Sequence, residues 1–134
     1  MKRLLLVLSV FATLASADNK QTINETMASM EKGMNTIQKG FLYNQKATIL
    51  EGTEIVINAN SIFEKVDVKS FTNGSKATQV ISNIHQTIAT DLKQFKKVVD
   101  EIKDNKSNKI ADATKLYGKI INDCVACHAV IRKW

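Results

Sequence analysis

Cys124, Cys127 and His128 stand together near the C-terminal edge of the chain, in the run Asn122-Asp123-Cys124-Val125-Ala126-Cys127-His128, and the chain holds no other cysteine. On a helix, residues at i, i+3 and i+4 project from one side. Both thiols and the imidazole would then face one volume. Two thiols so spaced can add across the vinyl groups on one porphyrin edge, and the imidazole that follows can reach the iron. Cys-x-x-Cys-His is the attachment signature of c-type haem. The chemistry expected is one covalently attached haem c, held by Cys124 and Cys127, with its iron on His128 as the proximal axial ligand.

Three competing uses of these residues fit less well. A dithiol redox pair normally opens a helix in a strand-helix fold, and no strand pattern is evident. A structural zinc takes four ligands, and the one further histidine is His85. A lone disulfide between i and i+3 closes a very small loop and stabilises little.

The other end of the chain is a separate signal. Lys2 and Arg3 precede an apolar run from Leu4 to Leu14, and Ala15-Ser16-Ala17 has the small-x-small form of a cleavage site. Residues 1–17 read as a secretory signal peptide, too short for a comfortable membrane span. Residues 18–134 are then the mature domain, placed in the bacterial periplasm, where c-type haem is attached. The formal charge of +6 falls when Lys2 and Arg3 leave. The remaining surplus suits a solvated basic surface or an acidic redox partner. No arginine-rich or aromatic-interleaved stripe points to nucleic acid.

With 134 residues, 44% hydrophobic, and no proline, the chain can bury one ordinary core. Its apolar periodicity is helical almost throughout. Ile23, Met27, Met30, Met34 and Ile37 form the seam of a first helix that Lys39-Gly40 should stop. Asn44 is placed to cap a second, with a seam of Ile49, Gly52, Val56, Ala59 and Phe63 reaching about Val66. Gly52 and Ala59 leave space either for a bulky group or for the close approach of another helix. Asn73-Gly74 reads as a turn and Ser75 as the cap of a third helix on Ile81, Ile84, Ile88, Phe95, Val98 and Ile102. Ser107 or Asn108 should cap a fourth, lined by Ile110, Tyr117, Ile121, Cys124, His128 and Ile131. The fold expected is all-α, an antiparallel four-helix bundle. Trp134 is expected to pack on its end. Lys93, Lys96, Lys97, Lys103 and Lys106 fall largely on the polar side of the third helix.

A leader, four helices and Cys-x-x-Cys-His on the last one resemble the class II cytochromes c: the cytochrome c′ group and its low-spin, methionine-ligated relatives. Arg132, four residues after His128, matches an arginine common in that family. Residues 39–44, Lys-Gly-Phe-Leu-Tyr-Asn, are similar to its Lys-Gly and Tyr-Asp elements. The resemblance covers the mature chain. It departs at Ile131, where an aromatic residue is common, and in the first helix, which lacks the family's arginine. The resemblance implies that the first helix supplies the residue facing the iron opposite His128. Counting back from Tyr43 lands near Ile23. Counting forward from the mature N-terminus lands between Met27 and Met30. Three methionines on one seam favour ligation, with Met27 the candidate and Met30 the alternative, although methionine also serves as core filler. His85 is a weaker candidate, more in keeping with a hydrogen-bonded histidine than a ligand.

These readings make the chain a periplasmic electron carrier rather than an enzyme, since no nucleophile-base pair, carboxylate pair or second metal cluster is visible. The alternative is a five-coordinate protein that binds NO or CO behind an aliphatic lid at Ile23. Redox proteins are the expected partners. The resemblance also allows a homodimer through the first two helices, although no plainly exposed apolar seam there demands one.

Overall fold

The computed structural model describes residues 2–70, 72, 74–103 and 108–132, with side chains from residue 21 onward. The expected turn residue Asn73, the expected cap Ser107, and Lys106 and Trp134 lie outside the described residues. Four α-helices follow in order: α1 (Lys2–Leu42), α2 (Lys46–Ser61), α3 (Ser75–Asp100) and α4 (Lys109–Arg132). Two 3₁₀ turns, Ile62–Glu64 and Val68–Ser70, lie between α2 and α3. Among the described residues there is no strand, and no helix is long and apolar enough to cross a membrane. The fold is an all-α helical bundle, as the periodicity predicts. α1 runs unbroken through the expected cleavage point after Ala17.

The helix boundaries differ from the expected ones for local reasons. Gly40 does not stop α1. Asn44 does, in the left-handed region at φ 53°. Gln45 N–H donates to the Gly40 carbonyl at 2.8 Å and Asn44 N–H to that of Phe41 at 3.3 Å, the paired bonds of a Schellman ending. Asn44 therefore closes α1 instead of capping α2. Gly74, at φ +96°, stands at the N-cap of α3, so Ser75 is its first helical residue. At the start of α4 the Asn108 carbonyl accepts from Asp112 N–H at 3.2 Å.

Successive helices run antiparallel, and side-chain pairings fix their register. α1 and α2 meet through glycines: a Cβ on Gly52 would stand 2.6 Å from Ile37 N and 2.7 Å from Gly33 O, and one on Gly33 would stand 2.5 Å from Val56 Cγ2. Thus Gly52 serves close helix approach, and Ala59 is buried on the same face. The most buried line of α1 is Thr26, Met30, Gly33, Ile37 and Gly40, turned from the expected methionine seam toward α2, where the backbones are closest. At the far end of the bundle, Lys46 Nζ donates to the carbonyls of Asp100 at 2.6 Å and Ile102 at 3.0 Å. A cation from α2 thereby satisfies the exposed carbonyl end of α3.

α4 packs along α3 and is tied to α1 by Tyr117, whose hydroxyl donates to the Met34 carbonyl at 3.3 Å. Phe41, Phe95 and Tyr117 form an aromatic cluster across α1, α3 and α4, with ring centroids 5.8–6.5 Å apart. Ala113 and Ile120 are the fully buried residues of α4, whereas Ile121, expected inward, is 39% exposed. Gly52→Ala should destabilise the fold by about 1–3 kcal/mol, the usual range for overpacking, because the added methyl meets backbone on both sides. A chemical denaturation midpoint unchanged from the parent protein would show that α1 and α2 can part without loss.

Candidate functional site

The antiparallel register brings four stretches to one end of the bundle: α1 from Asn24 to Met34, the close of α2 with its 3₁₀ turn, α3 from Ile81 to Ile88, and α4 from Cys124 to Arg132. They line a cavity of about 480 Å³, partly open to solvent, within the roughly 300–1,000 Å³ of small-molecule and cofactor sites. Cys124, Cys127 and His128 line it from α4, and Met27, Met30 and Met34 from α1. Phe63, Ile81 and Ile88 make the opposite wall apolar, while Asn60, His85, Glu31 and Arg132 supply its polar groups.

The helical spacing of the cysteines and histidine thus delivers all three to one cavity. Ile23 is half-buried but does not belong to the lining. Met34, not among the ligand candidates named from sequence, does belong to it, and so does Arg132. Tyr117 beside Met34 sets the register of α1 against α4. Two turns back on α1 is Met27, and two turns on along α4 is Cys124, so these two share a level. Helical side chains lean toward their own N-terminus. By that tendency Met27 is expected to lean toward the His128 end, and His128 back toward the level of Met27.

Burial governs the chemistry of the donors. It pushes the Cys127 thiol up to about 11, with Cys124 adding to the effect. It also raises Cys124, helped by the neighbouring Asp123 carboxyl. These thiols are protonated at neutral pH, unlike the thiolates of redox-active pairs or zinc sites. The His128 imidazole is held below its ordinary value, by burial first and by the Arg132 guanidinium second. It is therefore neutral, the form that can give a lone pair to a metal. Among the described residues no group of three or more histidine, cysteine or acidic side chains is arranged to hold a bare metal ion.

Sequence reasoning missed Asn60 and Phe63. Asn60 reads as an ordinary polar helix residue, yet it is 3% exposed, and only the pairing of α2 with α3 reveals its partner, His85. Behind the motif, α3 and α4 share a buried charged group. Asp91 is 4% exposed and binds Lys119 Nζ. Asp123 Oδ2 is also buried and without a hydrogen-bond partner. Two carboxylates cannot bond each other without a proton. Burial and the adjacent Asp91 push the Asp123 carboxyl up, against the opposing effect of Lys119.

No family model, curated protein or solved structure matches this chain.

The raised Asp123 carboxyl carries a pH signature. Its proton is bound more tightly in the folded than in the unfolded chain. Its contribution is therefore fully present in acid and lost as pH rises through the raised value. Asp123→Asn should be more stable than the parent at neutral pH, with the difference shrinking on acidification. Urea melts across the acid range test this, and a difference independent of pH would assign Asp123 an ordinary carboxyl.

Proposed function

We propose that the chain is an exported c-type cytochrome that carries electrons, with one haem attached through Cys124 and Cys127. The observation that carries this reading is the convergence of two thiols, a neutral imidazole and three thioethers on a single, largely apolar cavity at one end of a bundle. Haem supplies a one-electron ferric-ferrous couple when bound. The chain's residues would do the rest. Cys124 and Cys127 lie one turn apart and would hold a porphyrin edge against α4. His128 offers its neutral nitrogen from the same face. Phe63, Ile81 and Ile88 would place apolar surface against the group, and water displaced there would raise the influence of every nearby charge. Arg132 is the cation among the lining residues and suits a carboxylate substituent of the group.

Met27 would supply the second protein ligand. It lines the cavity and, by the Tyr117–Met34 register, stands level with Cys124, whereas Ile23 is outside the lining. This favours a six-coordinate carrier over a five-coordinate gas-binding protein with an aliphatic lid. A thioether ligand tunes potential, and its flexible stem allows it to complete coordination from an adjacent turn. Lys93, Lys97 and Lys103 are exposed and would present positive charge to an acidic redox partner, while Lys96 is engaged with Glu54 at 3.4 Å and Asp100 at 3.5 Å.

The reading is tested by expressing the full chain with haem-attachment machinery. Haem should stay with the chain through denaturation and be lost in the Cys124→Ala/Cys127→Ala variant. A parent chain that emerges without covalent haem overturns the proposal. In the same preparation, Met27→Ala should remove the optical signature of a thioether-bound iron, whereas Met34→Ala should keep it. A five-coordinate spectrum and ready CO binding in the unaltered protein would instead favour the gas-binding reading.

A further inference from the structure

His85 is the one titratable side chain of α3 between Lys76 and Asp91. Its ring is held by a side chain of α2. Nδ1 lies 3.1 Å from Asn60 Oδ1, and Asn60 Nδ2 donates to the His85 carbonyl at 3.4 Å. The second bond decides which end of the amide is oxygen, so Nδ1 carries the hydrogen and donates. Nε2 is left with the lone pair. The ring rests against Phe63, centroids 6.0 Å apart, and His85, Asn60 and Phe63 all line the cavity that takes in His128 and Met27. Asp91 meets Lys119, so the antiparallel register sets His85 about level with the cysteine motif.

We propose that His85 is a redox-linked proton acceptor, with Nε2 taking up a proton when the site is reduced and releasing it on oxidation. This rests on the haem reading above. Adding an electron to a largely apolar cavity would make it more negative, and a nearby neutral imidazole would then bind a proton more tightly. The balance is simple. With the haem of that reading bound, one electron would come from the redox partner, one proton would come from water to Nε2, and Nδ1–H would stay on Asn60. No bond of the chain breaks.

The charges around His85 leave it poised. Burial holds the imidazole below its ordinary value, and Glu64 opposes that effect. Asp67 and Lys69 stand in the turn before α3. Cys127, His128 and Arg132 face the cavity from α4, and Glu31 faces it from α1.

The experiment uses the haem-loaded full chain. Its midpoint potential is followed by spectroelectrochemistry from about pH 5 to 8, the range in which histidine titrates. His85 is followed by NMR in both oxidation states. The parent potential should fall as pH rises, and His85 should titrate at higher pH in the ferrous than in the ferric protein. His85→Gln should flatten the potential profile. Asn60→Asp puts a carboxylate on Nδ1–H and should move the window to higher pH. An unchanged slope in His85→Gln, or one titration curve for both oxidation states, overturns this inference while leaving the cytochrome reading intact. A chain without covalent haem overturns both.

Discussion

The contact between Gly33 and Gly52 sets the shape of everything around it. With no side chain on either residue, the backbones of α1 and α2 approach until Gly52 lies against the Gly33 carbonyl and the Ile37 amide. Dispersion gains fall off steeply with separation, so the deepest burial of α1 follows this contact. Met30 and Ile37 stay on that seam, buried. Met27 and Met34 turn to the flank that looks toward α4, where a lining of flexible thioethers can shape itself to a bulky group. Close approach on one side of α1 and open space on another are two results of the same placement of small residues.

Much of this was legible in the sequence because it depends on period alone. The four helices follow from apolar spacing, and the meeting of Cys124, Cys127 and His128 follows from i, i+3, i+4 geometry. Ile49, Val56, Ile81, Ile88 and Phe95 are buried where their seams place them. The illegible parts depend on pairing between helices. Asn44 has the chemistry of either cap, and its side depends on where the chain turns back. Gly40 resembles a stop, but it is buried against Ile49. Asn60 acquires meaning only beside His85, across an interface that period cannot predict.

The charged groups divide along the same lines. In front of α4, burial keeps Cys124, Cys127 and His128 neutral. Behind it, Asp91 and Lys119 pair, and Asp123 is left with an oxygen that has no partner. A buried group without a hydrogen bond costs stability, commonly about 1–3 kcal/mol, and a proton between the two aspartates removes that deficit. The helix that carries the cysteine motif thus has a face on which Cys124, Cys127 and His128 are neutral and a face whose charge depends on pH. They are separated by a fraction of a turn.

Stability and site formation therefore pull on different parts of the bundle. The far end is closed by the Phe41–Phe95–Tyr117 cluster and by Lys46 on the final carbonyls of α3. Those contacts involve no residue of the motif. The near end is lined by side chains whose apolar surfaces face a cavity instead of one another. Such a lining forgoes the packing that stabilises an ordinary core, and filling it recovers that packing. A bundle built this way is held together at one end by its own contacts and at the other by whatever occupies the cavity, so binding there stabilises the whole chain by mass action. Tyr117 joins the two ends. Its ring belongs to the aromatic cluster, its hydroxyl holds the Met34 carbonyl, and its place on α4 sets the level at which Met27 meets the cysteine motif.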